Sequence, residues 1–328
     1  MKPGSGRRIS PWCIWVTGHD EGRQHIEQVF GDRIKVRTYV GANTPETIEA
    51  RLEEAVRDGA DVVFTTTPPM SRATLKFAVK YPKIRFLNCS VDQPYSSLRT
   101  YYGRIYEAKF ITGAIAGAMT KQDEIGYIAD DPSNISCAEI NAFALGVQLT
   151  RPNAKIQLKW SGVAGASKND LMEQNSSKIP ADVFQKVDEN GQLGLFRINN
   201  EGHCKQIAAP CRNWGTFYVR LVKCFLSREL DAAPFSKYGE QAVNFWWGLA
   251  SDVVDLEWTE HLPEGTKALI NMIKNGVRNR SIDPFARKII SQNGEIRNDG
   301  TKNLSPEEIL TMDWISENII GCIPELEV

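Results

Sequence analysis

Residues 101–130 read YYGRIYEAKFITGAIAGAMTKQDEIGYIAD, and their reading decides the fold. LRTYYGR (98–104) is a short β-type run, EAKFITGAIAGAM (107–119) is an apolar helix, and EIGYIAD (124–130) is a second β-type run. A strand, a crossover helix and another strand make a β-α-β unit, so the two strands should be parallel and covered by helices on both faces. Gly113 and Gly117 stand four apart on the helix, a spacing that lets it approach a neighbouring backbone closely. The apolar run Phe110–Met119 is too short to cross a bilayer.

The alternation extends in both directions. Upstream, CIWVTG (13–18) predicts a strand and HDEGRQHIEQVF a helix, followed by a strand over IKVRTYV and a helix over about 45–58. Thr44 supplies that helix with an N-cap and Pro45 its first turn. DVVFTTT, ATLKFAVKY and IRFLNCS continue as strand, helix and strand. Downstream come a helix over ISCAEINAFALGVQL, a strand KIQLKW, a short run LMEQN, a helix to about Glu189 and LGLFRIN, which reads as a buried parallel strand.

KQIAAP then leads into a helix whose apolar positions 217, 218, 221, 222 and 225 recur at helical spacing. VVDLEW reads as a last parallel-type strand, with an amphipathic helix near 266–277 behind it. Asn293-Gly294 between two alternating runs signals a hairpin. Ser305 and Glu308 form a capping box for a final helix. The fold class is therefore α/β, with two doubly wound, Rossmann-like lobes in 328 residues.

Composition excludes several function classes. Lys+Arg 39 against Asp+Glu 40 leaves a net charge of −1, which gives no field to attract nucleic acid or an anionic membrane. Apolar content of 42% and charged content of 24% suit a globular protein without a membrane span. The start, MKPGSGRRISPWCIWVTGHD, lacks a signal-peptide core, and Cys13 lacks the apolar stretch that a lipoprotein site needs. Seven cysteines without a CxxC repeat point to packing residues rather than a disulfide framework. His203, Cys204 and Cys211 have no usual zinc spacing, and no GxSxG or HExxH motif occurs, so neither a metal nor a cofactor is expected and catalysis has no visible carrier.

Ligands of open α/β sheets bind outside the carboxyl ends of strands. Those ends nominate Thr17 and His19, Thr66 and Thr67, Asp130 and Asp131, Asn175 and Ser176, and Arg197, Asn199 and Asn200, with Trp247 as an aromatic candidate. Phe245-Trp246-Trp247 also reads as a strand packing a lobe interior. Trp214 reads as a structural anchor at a helix start, Tyr101 and Tyr102 as hinge packing, and Glu107, His19 and Asp20 as candidates for the cleft rim.

YYGRIYEAKFITGAIAGAMTKQDEIGYIAD, EINAFALG, NWGTFYVRLV, VVDL, DPFARKIISQNGEIR and SPEEILTMDW, in that order, resemble the basic membrane protein family. These are substrate-binding proteins of nucleoside ABC transporters with the type I periplasmic-binding fold. The resemblance spans about His19 to Gly321 and implies crossings between lobes near Tyr102-Gly103, Ala208-Ala209 and Asp252–Asp255. Lobe one would comprise 1–102 and 209–255, and lobe two 103–208 and 256–328.

The pocket departs from the family's pattern. The loop after the first strand looks deleted at Thr17–Arg23, Pro68 replaces an aromatic, and Asp131-Pro132 replaces an aromatic-Pro pair. Ser177 replaces an aspartate, Ala250-Ser251 a Lys-Asp pair, and Arg197-Ile198-Asn199-Asn200 the run that carries the ribose-gripping carboxylate. A further helix looks missing within SGVAGASKND. Each lost charge-assisted bond costs about 1.5–3 kcal/mol, so three or four together remove roughly 10³ in affinity or more.

The resemblance therefore implies a non-enzymatic small-molecule-binding protein with an altered pocket. Its ligand is nucleoside-like or, with an arginine fork at Arg197, anionic. Alternatively, Arg197 pairs with Asp130 or Asp131 across the cleft and the pocket binds nothing. Two roles remain open: capture for an ABC permease, or ligand sensing with a regulatory partner.

Overall fold

The computed structural model describes residues 14–91, 98–130, 132–161, 180–187, 193–199, 201–227 and 245–324. Two sheets organise them. The first contains β1 (Val62–Thr65), β2 (Arg85–Cys89), β3 (Arg99–Gly103) and β9 (Phe245–Trp247), in that order and all parallel. The second has seven strands in the order β10-β8-β7-β6-β4-β5-β13. These are β10 (Val254–Trp258), β8 (Cys204–Arg212), β7 (Leu193–Ile198), β6 (Val183–Val187), β4 (Glu124–Ala129), β5 (Lys155–Trp160) and β13 (Ile319–Ile320).

The β-α-β unit is present, with helix α4 (Ile105–Met119) joining β3 to β4. Helix α5 (Asn134–Thr150) lies against α4, and both glycines act as their spacing suggests. A Cβ on Gly113 would meet the backbone of Phe143 and Val147, and a Cβ on Gly146 would meet Phe110 and Ala114 in return. Phe110, Ile111, Phe143 and Leu145 fill the core beside this crossing.

Local signals elsewhere hold as well. Helix α2 (Pro45–Arg57) begins at Thr44, whose hydroxyl accepts the Thr47 N–H while Thr44 N–H donates to Thr47 Oγ1 at 2.9 Å. We expect Thr44→Ala to lower stability by about 1 kcal/mol and Thr44→Ser to leave it nearly unchanged, as read by urea denaturation. Ser305 and Glu308 close their capping box on Pro306–Leu310. Asn293-Gly294, with Gly294 at φ 84°, turns an antiparallel hairpin between β11 (Lys288–Ile290) and β12 (Ile296–Asp299).

Two expectations are corrected. CIWVTG is not a strand from residue 14 onward: Ile14–Phe30 is helix α1. His19, Gly22, Ile26 and Phe30 fall on one helical face, and Gly22 lets that face meet Trp214 and Tyr218 on α6 (Trp214–Leu226) with no room for a Cβ. Tertiary packing outweighs the β-propensity of the short run. IKVRTYV then has no ladder to join; residues 34–43 carry no strand, and Ile34 and Val36 pack instead against the α1–α6 cluster.

The second correction concerns the expected helix before LGLFRIN. Residues Val183–Val187 form β6, parallel to β4, and only five positions separate β6 from β7. A connection that short cannot carry a crossover, so β7 returns antiparallel to β6 and also pairs antiparallel with β8. VVDLEW is likewise antiparallel to β8 rather than a parallel-type strand. LMEQN and the helix expected to be missing within SGVAGASKND lie outside the described residues.

Candidate functional site

Strand direction sorts the candidate residues onto two edges. β4 and β5 are parallel and end at Asp130 and Ser161; β8, two reversals away from β6, runs the same way and ends at Arg212. Those three residues share the carboxyl edge. Arg197 pairs with Val183, one residue before the Phe184 that pairs with Gly126, so it lies level with Ile125 at the opposite edge. Five residues of strand separate that level from Asp130, roughly 16 Å at about 3.3 Å per residue. The expected meeting of Arg197 with Asp130 is therefore excluded by topology, because the strand carrying Arg197 runs backwards.

Asn199 is likewise committed elsewhere. Its Oδ1 accepts the N–H groups of Glu201 (3.0 Å) and His203 (2.9 Å), which fixes the β7–β8 turn together with Gly202 at φ 80°. Asp131, Asn175, Ser176 and Asn200 lie outside the described residues.

On the first sheet, Thr66 and Thr67 follow β1 at its carboxyl end, half-buried, as the strand-end rule predicts. The Thr67 carbonyl accepts from Asn88 Nδ2 at 3.0 Å. Thr17 and His19 instead belong to helix α1. His19 is buried, stacked on Trp214 at 4.3 Å and bonded through Nδ1 to the Tyr218 hydroxyl at 2.6 Å. It is a core residue, not a cleft-rim residue. Trp247 packs on Phe217 (5.1 Å) and Phe245 (5.5 Å), and Trp214 is buried as the anchor of α6.

Glu107, expected at the rim, is buried between the connections of the two sheets. It pairs with Arg104 at 3.1 Å and accepts the Leu249 N–H at 2.7 Å, and Gly248 leaves the carboxylate no more space than it uses. Burial pushes the Glu107 carboxyl up from its ordinary range.

A set of charged side chains that strand-end reading misses surrounds the shared carboxyl edge. Lys109 of α4 is 2% exposed, with its ammonium 5.2 Å from the Tyr127 ring centroid. Glu139 of α5 lies 4.0 Å from Arg212, whose guanidinium stands 5.6 Å from the Tyr102 ring centroid. Asp130 accepts from Ser161 Oγ at 2.8 Å. Burial lowers Lys109 to about 8; Glu139 and Asp130 oppose that shift and Arg212 adds to it. Burial likewise raises Glu139, against the pull of Lys109 and Arg212. The signal was present in the sequence: Lys109 and Glu139 stand in predominantly apolar helices that are buried over most of their length, where a charge carries a desolvation cost.

Among the described residues, no group of three or more His, Cys, Asp or Glu side chains is placed to hold a metal ion, and no helix is long and apolar enough to span a membrane.

A profile of the Bmp family, ABC transporter substrate-binding protein PnrA-like, matches residues 14–197. The chain belongs to this family. The Bmp match covers β1 to β7, including the β-α-β unit and the reversed strand that carries Arg197. A purine-binding protein of Brucella abortus is 22% identical over 327 residues, covering 95% of this chain and 90% of its own length. A protein of Haloferax volcanii that carries the name of an ABC transporter glucose-binding protein is 25% identical over 292 residues, covering 83% and 70%.

Two solved structures share the fold. A solute-binding protein of an ABC transporter system from Conexibacter woesei has a TM-score of 0.58 at 12% identity, over 82% of this chain and 93% of its own. A transcriptional activator of the comK gene from Bacillus halodurans has a TM-score of 0.64 at 15% identity, over 82% and 96%. The chain is thus a Bmp-family protein with a periplasmic-binding-protein-like fold.

Proposed function

We propose that this chain is a non-enzymatic solute-binding protein whose ligand sits at the carboxyl edge of the seven-stranded sheet, in a pocket altered from that of nucleoside-binding relatives. One observation carries the reading: Lys109, Asp130, Glu139 and Arg212 converge on that edge inside an otherwise apolar interior. Charges are retained in such a place at a cost in stability, and a ligand that engages them repays the cost.

The nucleoside reading is disfavoured by the replaced pocket residues, and several strand-end candidates are committed elsewhere. His19 and Trp247 are used in packing and Asn199 in a turn. Binding would couple to closure about three connections: 103–105, 212–214 and the stretch from Trp247 to Val254, where Glu107 grips Leu249. On this proposal the two lobes correspond to the two sheets with their flanking helices, and an ABC permease is the partner implied by family membership.

A thermal-shift panel of purine nucleosides, sugars and small organic acids tests the proposal. We expect at least one polar solute to raise the melting temperature and inosine and adenosine to leave it unchanged. A clear rise with inosine or adenosine would overturn the altered pocket.

A further inference from the structure

Lys109 differs from the other charges at the edge. Asp130 takes the Ser161 hydroxyl and Arg212 has Glu139 at its side, but among the described residues the Lys109 ammonium makes no hydrogen bond or ion pair. The residue is almost fully buried, with the Tyr127 ring face beside its ammonium. A buried ammonium carries three donors and strongly prefers an oxygen acceptor. The nearby elements define what else an acceptor would meet: α5 offers Glu139, β8 offers Arg212 and β4 offers Asp130.

We propose that Lys109 is the anchor for a carboxylate-bearing solute, with Arg212 completing the cationic side of the site. This rests on the solute-binding reading above and specifies its ligand class. The charge balance selects a single negative charge. The carboxyl groups of Asp130 and Glu139 already face the two cations Lys109 and Arg212, so the set has room for at most one further negative charge, which a monocarboxylate supplies. A dianion such as hydrogen phosphate would overshoot it in a low-dielectric interior, where an uncompensated charge is costly. An uncharged nucleoside or sugar would leave the ammonium without a counter-charge. The Arg212 guanidinium can donate to a second ligand oxygen, which would favour 2-hydroxy or 2-oxo acids over simple fatty acids.

The test uses the full chain and its Lys109→Met and Lys109→Gln variants, with pyruvate, lactate, succinate, inorganic phosphate, inosine and glucose as probes. Melting temperature and calorimetric affinity are measured for each. We expect pyruvate or lactate to raise the wild-type melting temperature. In Lys109→Met, the ligand-free protein should melt higher, because a buried ammonium is removed, while affinity for the same acid falls 10-fold or more. Lys109→Gln gives the same affinity readout and serves alone should the methionine variant not fold.

Equal affinity of wild type and either variant for the acids would overturn the anchor. Binding of inosine or glucose, or of phosphate but no carboxylate, would overturn the carboxylate class and leave the solute-binding reading standing. Absence of a shift with every probe would overturn the carboxylate inference, and extending the null result to the wider solute panel would remove the solute-binding reading beneath it.

Discussion

Replacing Gly113 with alanine is expected to destabilise the protein by about 3 kcal/mol or more, and replacing it with leucine to prevent folding. The direction is informative because the same change on an exposed helix face stabilises by about 1 kcal/mol. At Gly113 the added Cβ would lie 2.9 Å from the carbonyl carbon of Phe143 and 3.0 Å from the amide nitrogen of Val147, both backbone atoms of α5 that cannot rotate away. Gly146 presents the reciprocal contact to Phe110 and Ala114, so the two helices would have to separate along their crossing. Separation would open the core formed by Ile111, Phe143 and Leu145, with loss of packing on both sides. At about 1.5 °C per kcal/mol for a chain of this size, Gly113→Ala should melt roughly 4–5 °C lower or more. A rise in melting temperature would mean that α4 and α5 do not cross at these glycines.

The reach of sequence reading follows the range of the forces involved. Thr44, Pro45, Ser305 and Glu308 signal helix starts through bonds made within four residues, and both caps form as the sequence implies. Gly113 signals a close contact because nothing else explains a glycine inside an apolar helix. The hairpin at Asn293-Gly294 is similarly local. Where the outcome depends on distant partners, local pattern misleads. CIWVTG has strand propensity, but its face from His19 onward is matched to Trp214 and Tyr218, about two hundred positions away.

The site shows the same division. Arg197 was legible as a charge at a strand end, yet its edge depends on the direction of β7, and that turns on whether Val183–Val187 is helix or strand. A short apolar run cannot settle that choice by periodicity. One element read in the wrong class moves an arginine to the other side of the sheet. Arg212, at the end of a longer and more polar strand, occupies the edge that Arg197 was expected to reach. Lys109 and Glu139 were legible by a different rule: a charge inside a predominantly apolar helix has little solvent face to occupy.

His19 supplies the second large effect, in the acid limb of stability. Its ring is buried against Trp214, and burial with the nearby Arg212 charge lowers its pKa to about 3 from the ordinary 6.5. His19 Nδ1 and the Tyr218 hydroxyl share a hydrogen bond at 2.6 Å, and Tyr218 is in turn 3.2 Å from the Tyr101 hydroxyl, so the ring is held inside a buried chain of hydroxyl groups. Above pH 6.5 the imidazole is neutral in folded and unfolded chains alike and contributes no pH dependence. Between pH 6.5 and 3 the unfolded chain binds a proton that the folded chain refuses, so stability falls as the pH falls, by about 1.4 kcal/mol per unit. Across the full window this approaches ~5 kcal/mol, an order-of-magnitude figure from the shift itself. Glu107 and Glu139, whose pKa values are raised by burial, act with the opposite sign in the acid range, so the effect is read as a difference between variants. We expect His19→Asn, which keeps a hydrogen-bonding group toward Tyr218 but cannot titrate, to lower stability near neutrality through lost ring stacking. Its stability slope between pH 6.5 and 4.5 should be shallower than that of the wild type by about 1 kcal/mol per unit or more. Urea denaturation at closely spaced pH values measures both slopes. Parallel slopes would show that His19 takes up its proton in the folded chain, and that α1 opens toward solvent rather than sealing the imidazole against Trp214.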